Sequence, residues 1–474
     1  MRSPTRHARA GLLLVAGLLV IAALAPASAS AALGTTLTFK ASADAFVTKA
    51  EPRRNFGRSD FLEVAGPATR SYIRFRVRGL SGNVSRALLL LHSESGRASF
   101  KTHIARGNAW SERRITFATA PRLSGRGGSV RPRGGRAWVA ADVTRLVKRN
   151  GRLTFALTSA GRRVGAVASR QQGRDAPRLL VQVGGRSDAQ AATAGNVACE
   201  PSDPNFNGGL GTANGCRQQA TGDLLAGLGL DAVFMLGDGQ YFCGGYDAYQ
   251  SVYDRAWGRV KAITHPVIGN HDVAKSGAAD CDPSGAASGY FRYFGAAAGE
   301  PSKGYYSFDI GAWHVVALNT NCDSVGCLPG SAQQRWLQRD LARRGAPCTV
   351  ALLHHPRYSS SYQSQRDPHH MAAIWRTLAA ARVDLALGAH DHVYERFAPQ
   401  DAEGGPDAAG VREFVVGTGG HSHHPFLTVQ PNSQVRNNET FGVLRTSLRP
   451  TGYSWRFLPA AGGTFTDAGS ANCH

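Results

Sequence analysis

The stretch Gly269-Asn270-His271-Asp272 decides how this chain is read. It closes the apolar run Thr264-His265-Pro266-Val267-Ile268, just as Gly237-Asp238-Gly239-Gln240-Tyr241 closes Asp231-Ala232-Val233-Phe234-Met235-Leu236. Each run predicts a strand, and the glycine lets the chain turn sharply as it leaves the sheet. The residues that follow are presented at the carboxyl edge of the strands, where open α/β sheets bind ligands. A carboxylate, a phenol, an amide and an imidazole meet there, a donor set suited to hard or borderline metal ions.

The same arrangement recurs along the chain. Asn196 follows the first strand of the second half; His354 and His355 follow Thr349-Val350-Ala351-Leu352-Leu353; His390 and His392 follow Leu385-Ala386-Leu387. Residues two apart in an extended segment point the same way, so His390 and His392 face one site with Asp391 turned away. Buried imidazoles and carboxylates are costly unless paired or metal-bound. A series of them at successive strand ends therefore points to a metal site rather than to packing. His421, His423 and His424, after Gly417-Thr418-Gly419-Gly420, read equally as the rim of that site or as a solvated loop.

Outward from these strands, helices are expected at 215–228, 246–257, 331–344 and 371–381. Residues 305–309 and 313–318 read as a β-hairpin, with later strands at 412–416, 441–447 and 453–457. Two sheets covered by helices account for this order, so residues 194–474 read as an α/β domain. The small, polar, alanine-rich stretch 185–193 reads as a linker. Before it, residues 35–184 read as an all-β sandwich or jelly roll. Short runs such as Ser71-Tyr72-Ile73-Arg74-Phe75-Arg76-Val77 alternate there with Gly-, Ser- and Arg-rich turns.

The net charge of +21 is concentrated in that module, which holds roughly thirty Lys/Arg against roughly eight Asp/Glu. Such a surface attracts polyanions. With no recognised nucleic-acid motif, the expected partner is an acidic polysaccharide or cell-wall polymer rather than a specific nucleic acid. All eight cysteines lie beyond the module. Their even number and the absence of a CxxC pair favour disulfides and export. Pairing by proximity gives Cys199–Cys216, Cys243–Cys281, Cys322–Cys327 and Cys348–Cys473. Residues 1–31 read as a Sec-type signal peptide: Arg2, Arg6 and Arg9, an apolar stretch at 11–24, then small residues around Ala29 and Ala31. No later stretch is long and apolar enough for a transmembrane segment. The expected location is extracellular, with association to the cell wall.

Two resemblances sharpen these expectations. In the module, Ala43-Asp44-Ala45-Phe46-Val47, Asn55-Phe56-Gly57, Trp110-Ser111-Glu112, Ile115-Thr116-Phe117, Asp142-Val143-Thr144 and Ser169-Arg170-Gln171 together resemble the DNRLRE-type module, similar to carbohydrate-binding module family 96. That implies a jelly roll that binds polysaccharide; the other reading is a stabilising sandwich without a ligand. In the second half, the two glycine-led motifs, His354-His355-Pro356 and His390-Asp391-His392-Val393-Tyr394-Glu395-Arg396 resemble the calcineurin-like metallophosphoesterases. Tyr241 and the Tyr-Glu-Arg run resemble their purple acid phosphatase branch.

The second resemblance implies an αββα sandwich holding two metal ions, from among Fe, Zn and Mn. Matched position by position, Asp238 bridges both ions. Asn196, Tyr241 and His392 complete the first site; Asn270, His354 and His390 complete the second. His354, not His355, fits the family's His-x-Pro pattern. Paired ions acidify bound water and clamp the attacking and leaving oxygens, which implies hydrolysis of phosphate esters through a metal-bound hydroxide. His271 would act on substrate beside Asn270, stabilising the phosphoryl group or protonating the leaving oxygen, with Asp272 orienting its ring. His369 and His370 are further phosphate-facing candidates.

Two positions depart from the family. Asn196 stands where an aspartate is usual, and an amide ligates without charge, so a ferric ion should bind less well than a divalent one. Ala389 stands where a glycine is usual, and its methyl is expected to strain His390. Two functions are therefore compatible with the sequence. One is a secreted dinuclear-metal phosphoesterase, its activity reduced by these changes, targeted by a basic glycan-binding module. The other is a secreted glycan- or wall-binding protein with a degenerate phosphatase domain. The retained non-ligand His271 favours the enzyme.

Overall fold

The structure, a computed structural model, describes residues 34–474 except 81–83, 95–98, 133–135, 160, 162, 185–187, 275–280, 282–285 and 362–370. The expected signal peptide and His369 and His370 lie outside the described residues.

The first domain is a sandwich of two antiparallel sheets. Its strands are β1 (Thr35–Lys40), β2 (Ala43–Thr48), β3 (Phe61–Val64), β4 (Thr69–Val77), β5 (Val84–Ser93), β6 (Phe100–Ala105), β7 (Leu123–Val130), β8 (Ala137–Asp142), β9 (Gly151–Thr158), β10 (Gly165–Ala168) and β11 (Arg178–Val183). One sheet runs β1-β11-β5-β10-β3, with β8 also paired to β5; the other runs β2-β4-β9-β6-β7. Ile73, Phe75, Leu89, Leu91, Phe155 and Val181 fill the space between them. The alternate residues Leu88, Leu90, Trp138 and Leu180 face outward and join the core of the second domain. This explains why Leu88-Leu89-Leu90-Leu91 is an unbroken apolar run: the strand is buried on both faces.

The module's signature residues are largely spent on one another. Glu112 accepts the Asp44 backbone N–H at 3.0 Å and pairs with Arg170 at 3.1 Å. Asp44 in turn accepts the Arg170 backbone N–H at 2.6 Å. Asn55 donates to the carbonyls of Glu112 and Ile115 at 2.8 and 2.7 Å, and Gln171 donates to that of Gly57 at 3.2 Å. The spaced pattern thus ties loops together.

The second domain contains β12 (Ala189–Ala194), β13 (Ala232–Leu236), β14 (Thr264–Val267), β15 (Tyr306–Ile310), β16 (Trp313–Ala317), β17 (Cys348–Leu352), β18 (Leu385–Gly388), β19 (Tyr394–Phe397), β20 (Arg412–Val416), β21 (Ser433–Asn437), β22 (Gly442–Arg449), β23 (Gly452–Pro459) and β24 (Ala468–Asn472). Its sheets run β14-β13-β12-β22-β23-β24 and β15-β16-β17-β18-β20-β19-β21. In the first, β12, β13 and β14 are parallel; in the second, β16, β17, β18 and β20 are. The helix Gln218–Ala226 and the helical run beginning at Tyr246 pack Leu225, Tyr249 and Trp257 into the shared core. Helices Ala332–Arg343 and Ala372–Ala380 cover the second sheet through Leu337, Leu341, Ile374, Trp375 and Leu378. This is the expected αββα sandwich after a β-sandwich.

The linker reading of 185–193 needs correction, because Ala189–Ala194 is a strand between β13 and β22. Its small residues resemble a solvated connector, yet Ala191, Ala192 and Ala194 are fully buried. They let neighbouring layers approach closely. The four disulfides join the expected cysteines. The expected helix 246–257 is broken by a π-helical turn, Tyr249–Tyr253, a feature frequent near functional sites.

Candidate metal centre

The parallel strands of both sheets release their loops at one edge. Asn196 follows β12, Asp238 and Tyr241 follow β13, Asn270 and His271 follow β14, His354 and His355 follow β17, and His390 and His392 follow β18. Asp238 is the point where they meet, and it is fully buried. Its Oδ2 accepts from the Tyr241 hydroxyl at 2.9 Å and from Asn196 Nδ2 at 3.3 Å, and lies 3.3 Å from His354 Nε2. Its Oδ1 accepts the His271 backbone N–H at 2.9 Å. On one side, the Tyr241 hydroxyl also meets Asn196 Nδ2 at 2.7 Å and His392 Nε2 at 3.0 Å. On the other, Asn270 Oδ1 lies 2.9 Å from both His354 Nε2 and His390 Nδ1. Asn196, Asp238, Tyr241, Asn270, His354, His390 and His392 thus form two groups that share Asp238.

The backbone is bent to achieve this. Asn196, Asp238 and His390 have left-handed φ values of 58°, 49° and 64°, which non-glycine residues hold only where the surroundings over-determine them. Glycine is required beside them. A Cβ on Gly237, itself at φ 86°, would lie 2.4 Å from His354 Nδ1; one on Gly269 would lie 2.1 Å from Asp238 Oδ1.

The residues fit a cation. His354 Nδ1 lies 2.7 Å from the Leu236 carbonyl and so carries a proton. In the neutral ring, Nε2 then offers a lone pair toward two acceptors, Asn270 Oδ1 and Asp238 Oδ2. Asn196 Oδ1 is buried without a hydrogen-bond partner. Acceptors facing acceptors around His354 are relieved by a shared cation; the orphaned Asn196 oxygen would face the other group with its amide turned over, since Nδ2 is the atom directed at Asp238 and Tyr241. Protonation is the other relief: burial opposes the His354 imidazolium, but the Asp238 carboxylate overrides it and raises the group. Burial likewise opposes ionisation of Asp238, yet His354 above all holds it well below the usual carboxylate range. Burial pushes His390 down to about 3 and His392 well down too, leaving both as the neutral imidazoles that bind metals. Burial, then Asp238, pushes the Tyr241 phenol well up.

Three expectations are corrected. Asp272 does not orient His271. Its carboxylate accepts the backbone N–H groups of Gly269 at 2.8 Å and Asp238 at 3.0 Å and the Tyr249 hydroxyl at 2.6 Å, fastening two loops together. The His271 ring is held instead by the Phe242 carbonyl, 2.8 Å from Nδ1. Residues 390–392 are not extended, since Asp391 N–H bonds to Ala389 O and Val393 N–H to Asp391 O at 2.7 and 2.8 Å. This turn sends His390 and His392 to different groups. Ala389 itself has no left-handed φ; its methyl fills the space left by Gly195, where a Cβ would lie 2.6 Å away.

Other residues join the site beside the seven expected ligands. His355, passed over by the His-x-Pro pattern, lies close enough to His354 and His390 for the three to hold an ion, with its Nδ1 2.8 Å from Thr320 Oγ1. Ser422 Oγ lies 2.8 Å from His392 Nδ1. His421 stacks on Tyr241 at 3.7 Å and His424 on His392 at 3.8 Å, so the 417–424 loop is a wall of the centre. Glu395, of the Tyr-Glu-Arg run, is a buried fastener that accepts the Ser360 N–H and hydroxyl at 2.7 and 2.5 Å. Phe242 leaves an exposed ring 5.8 Å from His271.

With this geometry in hand, residues 35–183 match carbohydrate-binding module family 96, and residues 216–394 match the calcineurin-like phosphoesterases. A segment of 165 residues is 30% identical to probable purple acid phosphatase 20 of Arabidopsis thaliana, covering 32% of this chain and 38% of that protein. A segment of 121 residues is 36% identical to purple acid phosphatase 22 of the same plant, covering 25% of this chain and 27% of that protein. The chain thus spans well under half the length of these curated relatives. A solved purple acid phosphatase from yellow lupin (Lupinus luteus) seeds aligns with a TM-score of 0.50 and 15% identity, over 87% of this chain and 74% of that one, which shows a shared fold. The chain therefore carries a family 96 carbohydrate-binding module followed by a calcineurin-like phosphoesterase domain whose relatives are purple acid phosphatases.

Proposed function

We propose that this protein hydrolyses phosphate esters at a centre of two metal ions. The supporting observation is the pair of donor groups that share the buried Asp238. Asn196, Tyr241 and His392 would hold one ion with it, and Asn270, His354 and His390 the other. Such ions, when bound, supply Lewis acidity and acidify water. The chain's own residues do the rest. Asp238 stays ionised because imidazoles face it and the His271 N–H binds it. His271 has Nδ1 fixed on the Phe242 carbonyl, so Nε2 is the atom left for substrate. In its protonated form it would donate to a phosphoryl oxygen and pass that proton to the departing alkoxide oxygen as a water oxygen bonds to phosphorus and the ester P–O bond breaks. Asn270 sits one residue away and sets the substrate's approach.

Asn196 bears on whether the domain is active. Its Nδ2 faces Asp238 and Tyr241 while Oδ1 is unpartnered; with the amide turned over, that oxygen would face the centre, and as an uncharged donor it would favour divalent ions over ferric iron. The module would bind an acidic polysaccharide or wall polymer through its arginine-rich surface. Export is supported by the four disulfides, and among the described residues no helix is long and apolar enough to cross a membrane. The test is metal content together with hydrolysis of an aryl phosphate. A metal-loaded protein that cleaves neither mono- nor diester, but gains activity in Asn196→Asp, would mean that the natural chain is a binding protein.

A further inference from the structure

A cavity of about 570 Å3 lies between the two domains, away from the strand-end cluster. Lys40, Arg170, Arg174 and Arg178 line it from the module, and Arg344 and Leu341 from the phosphoesterase domain. Its size is that of a small-molecule site. Its charge is one-sided. Arg170 is paired with Glu112 at 3.1 Å. Among the described residues, no carboxylate lies within ion-pair distance of Lys40, Arg174, Arg178 or Arg344. The acids nearby are committed elsewhere. Asp175 pairs with Arg382 at 2.9 Å, and Asp384 accepts the backbone N–H groups of Thr349 and His474 at 2.7 and 2.9 Å.

The guanidinium groups are nonetheless held firmly. Arg174 donates to the Ala380 carbonyl at 2.9 Å, Arg344 to the Ala381 carbonyl at 2.9 Å, and Arg178 to the Arg174 carbonyl at 2.5 Å. Carbonyls fix a guanidinium without cancelling its charge. Arg178 is only 3% exposed, lies over the Trp138 ring at 4.8 Å, and has Nη1 closed off without a partner, as is Arg344 Nε. Burial, and after it Arg344, pushes Arg178 down to about 10. Arginines that merely cover apolar surface keep their heads in water. Arg178 does not, nor does Arg344 Nε, and the repulsion between these two cations in a partly dry cavity favours an anion.

We infer that this cavity binds an oxyanion, the phosphate or carboxylate group of a small molecule or sugar unit, at a second site built jointly by the two domains. The inference stands apart from the phosphoesterase reading, because it uses none of the strand-end residues. Two sources share this chemistry: inorganic phosphate, and an acidic sugar of the kind the module would meet.

The test is calorimetric titration of the metal-loaded protein at low salt with inorganic phosphate, with glucuronate and with neutral glucose. Wild type is compared with Lys40→Gln/Arg174→Gln, which alters two exposed side chains, and with Lys40→Gln alone as the milder variant. At least one anion should bind wild type at a step that weakens about tenfold or more in the double variant and less in the single one, while thermal unfolding without ligand stays the same. A phosphate step lost in the variant identifies free phosphate as the source; a glucuronate step identifies the acidic sugar. Equal anion binding by wild type and variant, or equal binding of glucose, overturns the inference.

Discussion

The module and the phosphoesterase domain use their motif residues in opposite ways. In the module, Asp44, Asn55, Glu112, Arg170 and Gln171 satisfy one another, each donor meeting an acceptor. In the phosphoesterase domain, the corresponding residues converge and are satisfied only in part: Asn196 Oδ1 has no hydrogen-bond partner, and His354 Nε2 faces acceptor atoms of Asp238 and Asn270. A closed set of hydrogen bonds maintains a fold. An open set, held in place by left-handed backbone and obligatory glycines, is a place prepared for something else. The difference separates two kinds of sequence signature that look alike on paper.

His271 separates the two kinds of residue most sharply. His271→Ala should lower kcat for an aryl phosphate by about 10²–10⁴-fold while metal content and thermal midpoint stay unchanged. A large loss of stability would place His271 among the fold-keeping residues instead. In the module the outcome should be reversed. Glu112→Ala removes the acceptor of the Asp44 N–H and the partner of Arg170, and should cost about 1–3 kcal/mol in chemical denaturation with no change in hydrolysis of a small soluble ester. Asn196→Asp adds charge to the open set. It should raise resistance to a chelator by on the order of tenfold, read as residual metal after dialysis; unchanged retention would show that position 196 does not touch metal.

The smallest expected effect concerns a satisfied group within the phosphoesterase domain. His314 lies between Asp309 and Asp340, 2.7 Å from each. Burial works against its charge, but the two carboxylates outweigh that and hold the imidazolium up to about 9. A raised folded-state value means that the stabilisation is complete below about 6.5, the ordinary histidine value, and is lost as pH rises through about 9. Asp309 is largely exposed, so the gain is on the order of 1 kcal/mol. Melting curves of wild type and His314→Gln should converge as pH rises across that window. Parallel curves would remove His314 from the account.

Much of this architecture was legible in the sequence because the signals are local. A strand end, marked by a glycine before Asp238 and Asn270 and by the close of an apolar run before His354 and His390, singled these residues out, and the fold brings them into one cluster. It failed where local chemistry has two meanings. The alanines of 189–194 suit a solvated connector and a crowded central strand equally well. Asp272 is next to His271 in sequence, but its carboxylate turns back to the Gly269 and Asp238 amides, while the true partner of the ring is a backbone carbonyl at Phe242, which no side-chain pattern records. The cations of the interdomain cavity come from positions 40, 174, 178 and 344, and nothing short of the fold brings them together.

Leu88, Leu90, Trp138 and Leu180 belong to the same core as the second domain, and this changes what kind of machine the protein is. A binding module on a flexible string lets its partner sweep a sphere of neighbouring targets. Here the two domains share one core, so a polymer bound by the module would be presented to the proposed metal centre at one bearing and one range. Esters along that polymer would be reached at a fixed offset from each grip, in a spaced pattern rather than at random. For the same reason the module cannot be cut away cleanly, because its removal would leave a greasy wall open to water.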